Sequence, residues 1–176
     1  MKEIRLLEDR NLKSKINRYS AVSIILFAIV FFGIARTAST PDMNDSTVFN
    51  IIFAILILFG TLIIHELIHG LFFKAFSHKN KVYFGFKNGM PYAASPSSIF
   101  TRFTFAISCI APFIIITALY IGSLYLGLLP KLIFVMVSTI HAAICSGDFY
   151  WVYEMGRAPK DAEVKATNVG IKILRS

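Results

Sequence analysis

Four apolar runs dominate the chain, at approximately residues 20–36, 49–75, 98–126 and 132–153. A helix crosses a hydrocarbon core with about 17–25 residues, so each run is long enough to span a bilayer. Inside lipid every backbone polar group must be satisfied within the chain, which makes these runs helices. The second run reads Asn50-Ile-Ile-Phe-Ala-Ile-Leu-Ile-Leu-Phe-Gly-Thr-Leu-Ile-Ile-His65-Glu66-Leu67-Ile68-His69-Gly70-Leu-Phe-Phe73. Two histidines and a glutamate at membrane depth are expensive and need a chemical reason.

The composition agrees with a membrane protein. Hydrophobic residues make up 56% of the chain, with 17 Phe, which is too apolar for a soluble domain of this size. The net charge is +8, yet the Lys and Arg lie almost wholly outside the apolar runs. That distribution reads as topology and contact with lipid headgroups, not as a nucleic-acid surface. Cys109 and Cys145 both fall in apolar runs and read as small buried thiols, not as a disulfide framework. A cleaved signal peptide is the rival reading of the first run. The long n-region of mixed charge and the lack of an A-x-A site argue against it.

Taken in order, residues 1–20 suggest a short polar helix on the membrane surface, followed by transmembrane helix 1. The 37–48 loop carries two Asp and no Lys or Arg. After helix 2, residues 74–90 hold Lys74, Lys79, Lys81 and Lys87, with Val82, Phe84 and Phe86 alternating before Asn88-Gly89. That pattern predicts a β-hairpin whose return strand is an edge because of Pro91 and Pro96. Pro112 should kink helix 3. Helix 4 ends in Phe149-Tyr150-Trp151 and Tyr153, an interfacial aromatic cluster. In the tail 154–176, Glu163–Thr167 and Ile171–Leu174 flank Asn168-Val169-Gly170 and suggest a second hairpin. The expected fold is thus one all-α membrane-embedded domain over 1–176, with small hairpins on one side. Basic termini and a basic 74–90 loop put both termini in the cytoplasm of a multi-pass cell-membrane protein.

The ionisable residues well inside the runs are His65, Glu66, His69, His141 and Asp148. His65 and His69, four apart, share a helix face and can reach one ion, while Glu66 is placed to act as general base on a metal-bound water. Helices 2 and 4 should run in the same direction. His69 lies five residues before Lys74 and Asp148 six before Glu154, so the two sit level to within about 1.5 Å, one residue of rise. Asp148 becomes the expected third ligand, which leaves a fourth position open, as catalytic zinc sites do. His141 lies about 10 Å further along. Either it hydrogen-bonds around the site or it replaces Asp148 as ligand. His78, in a polar loop, reads as solvated. Gly70, Gly122 and Gly147 read as points of close helix packing.

The His65-Glu-Leu-Ile-His-Gly70 helix with Ser146-Gly-Asp148 in a later one resembles the site-2 protease type of intramembrane zinc metallopeptidase. It is more similar still to a family of small bacterial membrane proteins described as putative zincin peptidases. There a basic loop, a helix with a mid-span Pro (here Pro112) and a G-D motif follow the H-E-x-x-H helix. The resemblance covers about 49–165. It departs from the usual site-2 pattern in having Gly147 before Asp148 and Phe149 after it. It implies one Zn²⁺ on His65, His69 and Asp148, Glu66 as catalytic base, and a membrane protein or peptide as substrate. Two other classes use the same residues: a metal or proton transporter, and a non-catalytic membrane partner that keeps a zincin-like site. Transport needs polar groups along a whole path, whereas these five cluster toward one side.

Overall fold

The computed structural model describes residues 2–4, 8–40, 46–77, 81–87, 90–96, 98–167 and 170–174. Its elements are β1 (Lys2–Ile4), α1 (Arg10–Arg36), α2 (Thr47–Phe76), β2 (Tyr83–Lys87), β3 (Met90–Ala94), β4 (Ile99–Thr101), α3 (Arg102–Tyr125), α4 (Lys131–Ile144), α5 (Ser146–Arg157), β5 (Glu163–Thr167) and β6 (Gly170–Leu174). The fold is mostly helical, with small antiparallel strands at one end.

Helices α1, α2 and α3 are each long and apolar enough to cross a membrane. α4 and α5, bent by 45° at their junction, make a fourth such unit if the pair is one span. The apolar surface of α1 and α2 is largely turned outward, with Ile25, Ile29, Phe32, Ile55, Phe59 and Leu71 among the exposed side chains. An exposed apolar surface of this kind marks an interaction surface. The inward face of α2 carries Ala54, Thr61, His65, Ile68, His69 and Phe73, spaced at helical intervals.

Local chemistry explains the helix ends. Asp9 caps α1, accepting from the Asn11 and Leu12 amides, and neither Gly nor Pro interrupts the chain until Gly33. The surface helix and helix 1 expected from sequence are therefore one continuous helix. α3 begins at Arg102, later than expected, because β4 takes Ile99–Thr101 and the Thr101 hydroxyl caps the Thr104 amide. Gly127, at φ 70°, ends α3, and the Leu128 N–H donates to the Ser123 carbonyl at 2.9 Å. The helix expected over 132–153 is broken at Cys145, next to Ser146 and Gly147, both weaker helix formers than Ala or Leu.

The strands amount to more than two hairpins. β1, β6, β5 and β4 form one four-stranded antiparallel sheet in that order, and β2–β3 form a separate ribbon. Phe100, Val164, Ala166, Ile171 and Ile173 point inward and pack with Phe73, Phe105 and Met155 at the ends of α2, α3 and α5. Alternate residues face outward, as the pleat requires. The β2–β3 register pairs Lys87 with Met90, and the expected turn Asn88-Gly89 lies outside the described residues. β3 pairs only with β2 among the described strands, so its far side is an edge.

Gly70 seats this ribbon. A Cβ there would collide with the Phe84 ring of β2. Gly70 thus serves strand-on-helix packing, not helix-on-helix packing. Gly122 and Gly147 have nothing within 4 Å of such a Cβ, so close approach is not their role. His78 lies outside the described residues.

Candidate metal centre

Three donor atoms meet where α2 faces the start of α5. His65 Nε2 lies 3.0 Å from His69 Nε2, 3.2 Å separates His65 Nε2 from Asp148 Oδ2, and His69 Nε2 is 3.2 Å from Asp148 Oδ1. The two imidazoles come from successive turns of one helix, which the four-residue spacing dictates. Asp148 arrives from the first turn of α5, directly after the break at Cys145. Its carboxylate reaches one oxygen to each ring. His65 and His69 are buried and Asp148 is mostly buried.

The protons around this triangle show what it needs. His69 Nδ1 lies 2.8 Å from the Ser108 carbonyl oxygen, which can only accept, so Nδ1 carries a proton, and in the neutral ring Nε2 is a lone pair. That carbonyl is free for a reason written four residues on. Pro112, within α3, has no N–H to donate back to Ser108. The proline that kinks or strains most helices here supplies a buried acceptor that fixes the tautomer of His69. On the other ring, His65 Nδ1 lies 3.3 Å from His141 Nε2. With Nδ1 donating to His141, His65 Nε2 is also a lone pair. Two lone pairs and a carboxylate then converge within 3.2 Å, an arrangement that only a positive charge among them makes favourable.

A metal ion fits that requirement. A tetrahedral zinc with bonds of about 2.0 Å holds neighbouring ligand atoms about 3.3 Å apart, close to the spacings here. The second ring nitrogen of His69 is held by a backbone carbonyl, as in metal-ligating histidines, and that of His65 lies against His141 Nε2. Among the described residues two groups have metal-ligand geometry: His65, His69 and Asp148, and His65, His141 and Cys145.

The first triangle opens onto a cleft of about 180 Å³. Glu66, His69 and Asp148 line its floor. Pro91, Tyr92 and Ala93 of β3 line it too, with Ala166, Thr167, Gly170 and Ile171 of β5 and β6. Phe73, Phe105, Cys109 and Trp151 close the back. The Glu66 carboxyl is half-buried and accepts a hydrogen bond from the Ala93 backbone N–H, which aims it into the cleft.

The structure thus gathers His65, His69 and Asp148, sets Glu66 on the same cleft, and puts His141 behind His65. Asp148, not His141, faces both Nε2 atoms. Sequence reasoning missed the Ser108 carbonyl and the Ala93 amide, both backbone atoms. The mid-helix proline was the one available signal for the former.

A His–His–carboxylate triangle on an H-E-x-x-H helix, with its glutamate turned into a cleft, is a donor set of the zincin type. The family model described as Putative zincin peptidase matches residues 58–162, and the chain belongs to that family. The match includes the motif helix, the ribbon, Pro112 and Asp148. No curated protein and no solved structure matches the chain.

Proposed function

We propose that the protein is a membrane-embedded zinc metallopeptidase that hydrolyses peptide bonds of membrane-associated substrates near the cytoplasmic interface. The observation that carries this reading is the convergence of His65 Nε2, His69 Nε2 and the Asp148 carboxylate beside Glu66 on one cleft. His65, His69 and Asp148 are the ligands in this reading. Zinc bound there supplies Lewis acidity, lowering the pKa of water to about 7 and polarising a carbonyl.

The chain's own groups do the rest. Glu66 takes the proton of the attacking water on its carboxylate and returns it to the leaving amine. The Ala93 amide and the helix hold Glu66 where that transfer is possible. In this reading His69 and His65 present Nε2 lone pairs, with the Ser108 carbonyl and His141 Nε2 accepting the Nδ1 protons. The unpaired side of β3 offers hydrogen-bonding groups to an extended substrate, which a helical substrate supplies only after local unwinding. Apolar walls from Phe73, Phe105 and Trp151 exclude water from part of the cleft.

The sheet end collects the basic residues Lys13, Lys15, Arg18, Lys74, Lys81 and Arg157. By the positive-inside rule that end is cytoplasmic, and the chain crosses four times with α4–α5 as the last span. The outward belt then meets lipid. All five intramembrane ionisable groups lie on α2, α4 and α5 toward this end, which favours a site over a transmembrane path.

The test is metal content by mass spectrometry and cleavage of a fluorogenic peptide in detergent, for wild type and Glu66→Gln. Near one zinc per chain in both, with cleavage in wild type and turnover lower by on the order of 100-fold or more in Glu66→Gln, supports the reading. Zinc-free wild type after mild purification would sink it.

A further inference from the structure

A second cavity, of about 570 Å³, lies between α1 and α5. It shares no lining residue with the cleft at the candidate metal centre. α1 contributes Lys15, Tyr19 and Ser23, and α5 contributes Ser146, Tyr153 and Arg157. These spacings keep each set on one helix face. The α5 side, from Ser146 to Arg157, runs about 16 Å. The Ser20 hydroxyl donates to the Ala143 carbonyl at 3.0 Å, just before the break, and holds α1 against the serine end.

The two ends differ in chemistry. Lys15 and Arg157 are exposed at one end, within the basic part of the bundle. Lys15 has no carboxylate partner among the described residues. Arg157 has five N–H donors, one of which donates to the Tyr153 hydroxyl at 2.9 Å. Glu154 also lines the cavity, but it is buried and accepts a hydrogen bond from the Tyr150 hydroxyl. At the other end the Ser146 hydroxyl is buried without a hydrogen-bond partner among the described residues, a cost that a bound acceptor removes. Phe149 lines the cavity and stacks on Phe27, with ring centroids 6.2 Å apart. Past Tyr19 on α1, Val22 and Leu26 share its face and are exposed.

We propose that this cavity is a site for one anionic glycerophospholipid. Lys15 and Arg157 hold its phosphodiester, Ser23 and Ser146 meet its glycerol ester oxygens, and an acyl chain covers Val22 and Leu26. The volume lies in the range of small-molecule sites. The order of groups along the cavity, cations then hydroxyls then apolar surface, is the order along such a lipid. Two cations and one carboxylate leave one positive charge, which a phosphodiester monoanion cancels. A zwitterionic headgroup brings its own ammonium and leaves that charge standing. The site rests on the chain spanning a membrane and not on the peptidase reading.

The test is native mass spectrometry of the full chain, stripped of lipid in detergent and titrated separately with phosphatidylglycerol, phosphatidylcholine and inorganic phosphate. Wild type should bind one phosphatidylglycerol about 10-fold or more tighter than phosphatidylcholine, and inorganic phosphate should not displace it. Lys15→Gln combined with Arg157→Gln should abolish the preference. Lys13→Gln combined with Arg18→Gln removes the same charge from residues that do not line the cavity and should keep it. Ser146→Ala should weaken phosphatidylglycerol by about 3-fold. Ser23→Phe, which keeps both cations and fills the inner end, should weaken both lipids. Should the first double variant not fold, Lys15→Gln alone, with an expected loss of about 5-fold, replaces it. Equal affinity for the two lipids would overturn the proposal. So would a preference that survives Lys15→Gln with Arg157→Gln, one lost equally with Lys13→Gln and Arg18→Gln, or inorganic phosphate bound as tightly as the lipid. One phosphatidylglycerol on a zinc-free protein would leave the proposal standing and refute only the peptidase reading.

Discussion

The two sides of the candidate metal centre are built on opposite plans. α2 is one unbroken helix of 30 residues, and its two histidines face the same way by periodicity alone. The facing side is a helix snapped at Cys145 and bent by 45°, and Asp148 stands three residues past the break. Regular backbone gives two candidate ligands their common direction. Irregular backbone gives the third its freedom to point across the gap. A third donor has to come from a second element, because three donors on one straight helix cannot surround an ion.

The comparison can be broken first by deleting a donor from either side. His65→Ala and Asp148→Asn should be equivalent, each dropping zinc from about one ion per chain to near none and abolishing cleavage. If Asp148→Asn alone kept its zinc, the irregular side would be an accessory. A smaller effect is expected where α3 props the regular side. Pro112→Ala restores an N–H that competes with His69 for the Ser108 carbonyl. Zinc affinity, measured by competition with a chelator, should fall by about 10- to 100-fold with the helix content unchanged.

The glycines beside each half sharpen the contrast further. Gly70→Ala thrusts a methyl into the Phe84 ring and should unseat the β2–β3 ribbon. Its effect should appear in KM for peptide, with zinc content intact. Gly147→Ala meets nothing and replaces a poor helix former in α5. It should leave metal and activity alone and stabilise by about 0.5–1 kcal/mol, read as a modest rise in the melting temperature.

The histidine pair, Glu66 and the apolar runs were legible in the sequence because each depends on spacing within one helix. Asp148 was legible by counting residues from the charged anchors Lys74 and Glu154, although that count assumed a straight helix. The count still brings Asp148 beside the histidines because Asp148 and Glu154 both lie in α5, on the same side of the break. The break itself left just Ser146-Gly147 as a trace, a dipeptide that many straight helices tolerate. β1 and β4 were not legible. Each has three residues, and what makes them strands is pairing with β6 and β5 far along the chain. The walls of the cleft were hidden for the same reason. Ala93 and Ala166 have no chemistry that a sequence would advertise, and only the fold puts them on the cleft that Glu66 lines.

The Ser108 carbonyl bears on how substitutions in this chain should be read. The atom that supports His69 belongs to residue 108, but the residue that makes it available is 112. A scan of every single substitution would therefore misplace the support by one helical turn. Position 108, fully buried, should accept Ala, since the loss of its hydroxyl leaves the carbonyl where it was. Position 112 should reject Ala, the residue that helix energetics alone would welcome. A tolerance profile inverted in this way, permissive at the contact and strict four residues later, would be the signature of a backbone atom recruited through a missing hydrogen.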